Sequence, residues 1–239
     1  MKQNMNPELR IKETAPIDVE GGFLFNGFPS TGITSAIAAE FIINSSQLEP
    51  AAIIDSDSFP PISIVKNGSP NYPTRIFVNN DLKVAIFSSY VTIDVVLHRA
   101  IGKMMLDWAT EKKCSTIISG ITTRSTSKEV IGVASTGTAR GKLVTSGIKV
   151  AEHATIPGIP GVLLNEGMVR GQDVIVLLVG SESNNPDLKA TSNLCDGLAK
   201  LIPGISNNLS LLEKEAKQIE EGIKQAETES RDLSESMYR

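Results

Sequence analysis

The chain of 239 residues is long enough for one large α/β domain with an appendage, or for two small domains. Its 23 basic and 27 acidic residues give a net charge of −4. With no long basic run, this balance argues against a nucleic acid or an anionic membrane as the partner. Residues 1–8 are polar, unlike a signal peptide, and no stretch approaches the ~20 apolar residues that span a bilayer.

The cysteine content indicates a reducing compartment. The two cysteines, Cys114 and Cys195, are far apart and match no metal-ligand or redox spacing. Free thiols of this kind are typical of cytosolic proteins. We therefore expect a cytoplasmic protein.

Short runs rich in Val and Ile alternate with longer segments of helical period. This alternation is typical of an α/β fold, in which helices connect the strands of a mostly parallel sheet. The predicted strands are Phe23–Asn26, Ala51–Ser56, Lys83–Ser88, Thr116–Ser119, Glu129–Ala134 and Asp173–Val179. The predicted helices are Ile33–Ser46, Ile93–Lys112 and Asp187–Ile202.

Two segments depart from this alternation. Asn67-Gly68 lies between the apolar runs Ile62–Val65 and Arg75–Val78, and an Asn-Gly turn predicts an antiparallel hairpin beside the sheet. The segment Pro157–Gly161 is rich in Gly and Pro and is expected to be a loop.

The composition changes after Gly204, where we place a domain boundary: residues 1–204 form the α/β domain, and residues 205–239 a long C-terminal helix. Glu-first pairs four residues apart, such as Glu220 and Lys224, favour a continuous exposed helix. Small or apolar residues recur there at alternating spacings of three and four, with Ala216, Ala226, Ser230 and Met237 completing the pattern. We call the large apolar residues before the tail the heptad stripe: Leu209, Leu212, Ile219, Ile223 and Leu233. The stripe predicts packing against a partner helix, or else against the chain's own domain.

The glycine-rich segment from Gly27 to Gly32 lies between a strand and a helix. Backbone N–H groups at such a position can hold a phosphate. It lacks the glycine spacing of a dinucleotide loop and the lysine of a P-loop. A tight turn with Ser30 or Thr31 near the helix start is therefore the preferred interpretation, and anion binding by Gly27, Ser30, Thr31 and Gly32 is the alternative.

No other residues form a recognisable catalytic or metal-binding motif. Asp55 and Asp57 alternate at a strand end, so we expect their carboxylates to point to opposite sides. His98 and His153 have no partners at zinc-ligand spacing. No nucleophile elbow occurs. We accordingly expect no enzyme activity, no cofactor and no metal.

Several segments, taken in order, carry a family resemblance. They are Gly27–Gly32, Ala38–Glu40, Ile54–Pro61, Leu106–Ala109, Val130–Thr136, Gly158–Leu164 and Asn185–Ala190. This set resembles the proteasome assembly chaperones of archaea and actinobacteria, over about residues 15–205. The resemblance implies a three-layer αβα sandwich similar to purine nucleoside phosphorylases, a homo-oligomer, with a pentamer as the expected size, and binding to the proteasome α-ring.

The last three residues, Met237, Tyr238 and Arg239, form a pattern of hydrophobic residue, tyrosine and any residue. Proteasome activators and some assembly chaperones enter pockets between α-subunits with such tails. A phenol combines an apolar ring with a polar tip, and a terminal carboxylate can pair with a lysine. The expected function is thus a proteasome assembly chaperone or binding factor that docks on the 20S α-ring. The alternative is a small-molecule binder or enzyme, of phosphate or nucleoside type, on a phosphorylase-like fold.

Overall fold

A computed structural model describes residues 9–29, 33–66, 68–125, 127, 129–181, 187–206, 220–226, 228 and 229. The strands are β1 Leu9–Glu13, β2 Phe23–Gly27, β3 Glu49–Ser56, β4 Ile64–Lys66, β5 Ser69–Asn71, β6 Thr74–Asn79, β7 Val84–Ser89, β8 Thr116–Arg124, β9 Ile131–Ala134, β10 Lys149–Val150 and β11 Val174–Ser181. The α-helices are α1 Thr34–Ser45, α2 His98–Glu111, α3 Gly137–Thr145, α4 Gly158–Arg170 and α5 Leu188–Leu201, and a 3₁₀ helix, Val95–Leu97, precedes α2.

Nine strands form one mixed sheet, in the order β1-β3-β6-β7-β2-β8-β11-β9-β10. The four central strands, β7, β2, β8 and β11, are parallel to one another. On one side β1, β3 and β6 add antiparallel strands, and on the other β9 pairs antiparallel with β11. The α/β class and all six strands predicted for the sheet are confirmed, although their bounds differ by a few residues.

Helices cover both faces of the central sheet. Val174 of β11 packs at Gly167 of α4, whereas Leu177 of the same strand packs at Gly197 of α5. An odd spacing along a strand places side chains on opposite faces. Burial on both faces explains why the central strands are continuously apolar, as Val174 to Val179 are.

The predicted hairpin is present, but one of its arms was assigned wrongly. Strands β4 and β5 pair antiparallel, with Lys66 opposite Ser69, and Gly68 has a positive φ of 75°. The run Arg75–Val78 belongs instead to β6, between β3 and β7 of the large sheet. Its side chains are buried, so its apolar sequence reflects the main core rather than the hairpin.

The prediction of a loop at Pro157–Gly161 is wrong, because α4 begins at Gly158. Pro160 lies in the first turn, where a missing backbone N–H breaks no intrahelical bond. A Cβ on Gly161 would lie 2.1 Å from the carbonyl oxygen of Ile156. Both residues therefore suit the start of this helix.

Helix α5 begins where the sequence predicts, directly after Asp187. Asp187 is the N-cap, and its carboxylate accepts hydrogen bonds from the backbone N–H groups of Lys189 and Ala190 at 2.9 and 3.1 Å. The helix predicted near Ile33–Ser46 is confirmed as α1, with Ile33 as an N-cap that makes no side-chain hydrogen bond. Within the described residues, no helix combines the length and apolar character needed to cross a bilayer.

Candidate functional site

Most residues predicted to act in partner binding lie outside the described part of the chain. These are Met237, Tyr238 and Arg239 of the tail, and Leu209, Leu212, Ile219 and Leu233 of the heptad stripe. Ile223 is the stripe residue that the structure describes. The candidate site is therefore the place where the C-terminal segment meets the domain.

Residues 220–226 are helical and pack against the domain. Ile223 and Ala226 are 1% and 4% exposed and belong to the hydrophobic core. Glu220 and Lys224 form the predicted ion pair four residues apart. At Ile223 the heptad stripe therefore packs against the chain's own domain. Packing of the other stripe residues against a partner helix stays a prediction.

Tyr90 lies beside this segment at Gly222. A Cβ placed on Gly222 would be 3.6 Å from Cε1 of Tyr90, an ordinary van der Waals contact. Tyr90 follows β7 directly, at the edge where the central parallel strands end, and is only 3% exposed. The C-terminal segment thus approaches the carboxyl end of the parallel sheet.

Buried polar partners hold the phenol of Tyr90 in place. Its hydroxyl donates to Glu40 Oε2 at 2.5 Å, and Glu40 Oε1 accepts from Ser88 Oγ at 2.7 Å. Glu40 lies on α1 and is 3% exposed. Lys66, from the hairpin strand β4, donates to the phenol oxygen and lies 3.4 Å from Glu40 Oε2.

The charges in this cluster explain its chemistry. A buried carboxylate needs a nearby cation and hydrogen-bond donors, and Lys66, Tyr90 and Ser88 supply them to Glu40. Burial, and then the negative charge of Glu40, raise the pKa of Tyr90 far above its usual value. The phenol stays neutral and keeps its proton for Glu40. The cluster joins α1, the hairpin and β7 into one support for the C-terminal segment.

The described part of the glycine-rich segment is explained by packing. A Cβ on Gly27 would lie 2.3 Å from Cβ of Ala39 and 2.9 Å from the carbonyl oxygen of Phe87. Gly27 therefore permits close approach of α1 to the sheet. Ser30, Thr31 and Gly32 lie outside the described residues, so anion binding by this segment stays a prediction.

The prediction for Asp55 and Asp57 is wrong. Both carboxylates approach one guanidinium, with Arg10 Nη2 at 3.5 Å from Asp55 Oδ2 and 2.6 Å from Asp57 Oδ1. Strand β3 ends at Ser56, so the alternation of a strand does not extend to Asp57. Sequence reasoning missed the β1 strand that supplies Arg10.

The remaining candidate side chains have ordinary environments. His98 Nε2 lies 3.1 Å from the carbonyl oxygen of Ile93. Cys114 and Cys195 are free, and burial raises the pKa of each thiol to about 12. In the part of the chain that the structure describes, no three His, Cys, Asp or Glu side chains are grouped to hold a metal ion.

Comparison with known proteins identifies the family of this fold. The model of the PAC2 family matches residues 24–227. The chain belongs to the PAC2 family. The match runs past residue 204, where we place the domain boundary, and includes the helical residues 220–226 that pack on Tyr90. The division of the chain into residues 1–204 and 205–239 stays a prediction.

Similar proteins are found in archaea. The PAC2 chain is 25% identical to an uncharacterised protein, MJ0106, of Methanocaldococcus jannaschii, over 225 residues that cover 92% of each chain. It is also similar to the crystal structure of Pyrococcus furiosus PbaA, an archaeal homologue of proteasome-assembly chaperone, with a TM-score of 0.80 and 25% identity over 95% of this chain and all of PbaA.

A second Pyrococcus furiosus structure shares the fold. PbaB, an archaeal proteasome activator, superposes with a TM-score of 0.70 at 21% identity, over 92% of this chain and 98% of PbaB. These similarities extend over nearly the whole chain, so the described architecture is that of the family rather than of one shared subdomain.

Proposed function

We propose that this PAC2 protein is a proteasome assembly chaperone or proteasome-binding factor, which docks as a homo-oligomer on the α-ring of the 20S particle through its C-terminal residues. The observation that carries the proposal is the similarity to PbaA along essentially the whole chain. The fold shared with PbaB, a proteasome activator, adds support. Docking of this kind requires no chemical step.

The proposed docking residues are Met237, Tyr238 and Arg239. Tyr238 offers an apolar ring with a polar tip, and the carboxylate of Arg239 offers a charge-assisted hydrogen bond to a pocket lysine. A three-residue anchor buries little surface, so a single tail binds weakly. Several tails on one oligomer raise the effective concentration and strengthen binding together.

The packing of the C-terminal segment supports this arrangement. Ile223 and Ala226 are buried and fix residues 220–226 on the domain, where Gly222 lies beside Tyr90. A fixed starting point lowers the conformational entropy that is lost when a tail docks.

Co-sedimentation with purified 20S particles tests the proposal. Full-length protein should sediment with the particles, and a variant lacking residues 237–239 should remain in the supernatant. Equal circular dichroism melting curves for the two proteins provide the control for folding. Failure of the full-length protein to sediment with 20S particles from its own source would contradict the proposal.

A further inference from the structure

An open groove of about 760 Å³ lies beside the edge strand β1, between this strand and helix α2. Among the described strands β1 pairs with β3 alone, so its other edge has no neighbouring strand. A groove between an edge strand and a helix is a place where an extended peptide can add a strand to a sheet. The apolar residues of its lining are Leu9, Ile11, Val96, Ala100, Met104 and Trp108.

The register of β1 shows which backbone groups face its free edge. In an antiparallel pair, every second residue directs its N–H and C=O toward the partner strand. The N–H of Thr14, directly after β1, donates to the carbonyl oxygen of Ala51 at 2.7 Å. By the same alternation Lys12 and Arg10 also direct their backbone groups toward β3. The residues between them, whose backbone groups face the free edge, are Leu9, Ile11 and Glu13.

These same three residues line the groove with their side chains. Alternate residues of a strand lie on one face of the sheet, which here is the face that carries α2. A strand added to β1 would place every second side chain on that face, beside the exposed Val96 and the half-buried Ala100 and Met104. Backbone pairing and apolar contact are therefore available at the same place.

Trp108 adds a buried donor without an acceptor. It is only 4% exposed and packs edge-on against Phe87, with 5.1 Å between the ring centroids. Its indole N–H has no hydrogen-bond partner among the described residues. Buried donors in native proteins nearly always have a partner in the protein, in water or in a ligand. A carbonyl group in the groove would supply the missing acceptor.

The end of the groove near the start of α2 is basic, even after the ion pairs within the chain are formed. Arg99 and Lys103 share the single carboxylate of Glu166, at 4.0 and 3.5 Å. Arg170 pairs with Asp107, so these two charges cancel. One positive charge is left over at this end.

The end of the groove near the end of α2 is acidic. The carboxylates of Glu13 and Glu111 share the single ammonium group of Lys112, at 2.6 and 3.5 Å. One negative charge is left over. A strand antiparallel to β1 would begin at this end and finish at the basic end, so a cation in its first residue and an acid in its last residue are complementary to the groove.

From these features we propose that the groove between β1 and α2 binds an extended segment of another polypeptide, which adds to β1 as an antiparallel strand. The segment carries apolar side chains at alternate positions, a cation at its beginning and an acid at its end. The inference goes beyond the proposed function and does not depend on it, because the groove shares no residue with the tail.

A synthetic heptapeptide, Lys-Thr-Val-Thr-Val-Thr-Glu, is the probe. Its lysine, its two valines and its glutamate lie on one face of an extended strand. With the lysine opposite Glu13, the valines lie opposite Ile11 and Leu9. The peptide should bind saturably to the full chain. No binding at millimolar peptide would overturn the proposal.

Trp108 reports directly on the groove, because it is the single tryptophan of the chain. Titration with the heptapeptide should change its fluorescence emission saturably. The indole N–H also gives one signal in the proton–nitrogen spectrum of labelled protein, and its proton should move downfield when it gains an acceptor. Binding that leaves both signals of Trp108 unchanged would place the peptide elsewhere and overturn the proposal.

Backbone N-methylation of the heptapeptide separates strand addition from simple apolar contact. Methyl groups on the two valine nitrogens remove the donors that face β1, and should weaken binding about tenfold or more. Methyl groups on the first two threonine nitrogens, which face away from β1, are the matched control and should leave the affinity unchanged. Equal losses from both peptides, or no loss from the valine peptide, would contradict strand addition.

Filling the groove provides a second test. Ala100→Phe should abolish the change in Trp108 emission, because the larger side chain occupies the apolar part of the groove. Ala154→Phe, at an exposed position outside the groove, is the control and should bind as the wild type does. Wild-type affinity in Ala100→Phe would overturn the proposal. The methylated peptides need no variant, so they decide the question if Ala100→Phe lowers the melting temperature.

Other occupants give distinct results. Peptide binding that appears only after removal of residues 1–8 would mean that the chain's own N-terminal residues fill the groove. Self-association that the peptide reverses, as read by light scattering, would mean that β1 pairs with a second copy. Either result overturns the proposal of a foreign segment.

The peptide titration also separates this inference from the proposed function. Deletion of residues 237–239 should leave peptide binding unchanged. Peptide binding in a full-length protein that does not sediment with 20S particles supports the groove and contradicts the proposed function. Sedimentation with 20S particles without peptide binding overturns the groove proposal alone.

Discussion

Gly222 of the C-terminal segment lies against the ring of Tyr90, with 3.6 Å between a Cβ placed on Gly222 and Cε1 of the tyrosine. At this distance the methyl group of an alanine at position 222 would contact the tyrosine ring without displacing it. Glycine inside a helix also costs about 1 kcal/mol relative to alanine.

Gly222→Ala should therefore hold the segment more firmly on the domain. We expect amide hydrogen exchange of residues 220–226 to slow about twofold to fivefold, in line with a gain of about 0.5–1 kcal/mol from helix propensity. Exchange in α5 serves as the internal control. Faster exchange of residues 220–226 in Gly222→Ala would contradict the 3.6 Å spacing beside Tyr90, because it would mean that the added methyl group clashes there.

The buried phenol of Tyr90 predicts a loss of stability at alkaline pH. Its pKa in the folded protein lies far above the value of about 10 for an unfolded chain. The unfolded state therefore gives up this proton above about pH 10 while the folded state keeps it. The contribution of protonated Tyr90 to the free energy of unfolding is therefore complete below pH 10, and above that pH it declines by at most ~1.4 kcal/mol per pH unit.

Tyr90→Phe removes this dependence and keeps the ring. The variant should be less stable at pH 8 by about 1–3 kcal/mol, because Glu40 loses a buried donor. The difference in unfolding free energy between the variant and the wild type, measured by urea unfolding, should become smaller between pH 10 and 11. Tyr72→Phe, at a position 47% exposed, is the control. If the difference in unfolding free energy between Tyr90→Phe and the wild type stays constant with pH, the pKa of Tyr90 is not raised in the folded protein.

The approach of α1 to the sheet at Gly27 predicts a paired effect. A Cβ on Gly27 would lie 2.3 Å from that of Ala39, so Gly27→Ala should destabilise the fold by about 1–3 kcal/mol. Ala39→Gly in the same chain should recover part of the loss. The recovery is incomplete because the carbonyl oxygen of Phe87 also lies close, at 2.9 Å, and glycine is unfavourable within a helix.

Thermal unfolding of the two single variants and the double variant measures this coupling. Additive losses in the double variant would mean that Gly27 and Ala39 do not share one packing site. An unchanged melting temperature in Gly27→Ala would mean that the glycine is present for another reason, such as anion binding.

Burial of Cys195 predicts slow thiol chemistry. Its thiol has a pKa raised to about 12 by burial, and its side chain is fully inaccessible. Because the thiolate is the reactive form, a Cys114→Ala variant should react with an aromatic disulfide reagent at the rate of global unfolding. Rapid labelling of this variant in native buffer would contradict the burial of α5 against the sheet.

The strands that helices cover on both faces were predicted from the sequence. Strands such as β11 are covered on both faces, so their residues from Val174 to Val179 are continuously apolar. Strand β1 was missed because, at the sheet edge, it alternates half-buried Leu9 and Ile11 with exposed Arg10 and Lys12. Helix α3 was missed for a similar reason, since only Ala139 and Leu143 of its residues are buried.

The candidate site depends on contacts that local patterns do not encode. Glu40, Tyr90 and Lys66 come from a helix, a strand end and a hairpin, and their distances follow from the tertiary fold. An acidic residue in the apolar segment from Ala36 to Ile43 was the available signal for a buried polar cluster. The packing of Ile223 on its own domain was one of two interpretations of the heptad stripe, and sequence periodicity does not distinguish them.

Surface plasmon resonance with immobilised 20S particles is the measurement that tests the proposed docking most directly. Tyr238→Ala should weaken binding about thirtyfold per tail, since truncation of an anchoring tyrosine typically costs ~2 kcal/mol, and avidity should enlarge the loss across the oligomer. One residue added after Arg239 should weaken binding to a similar extent, because it moves the carboxylate. Tyr72→Ala, which removes an exposed tyrosine elsewhere, should bind as the wild type does; wild-type affinity in Tyr238→Ala would contradict docking through the tail.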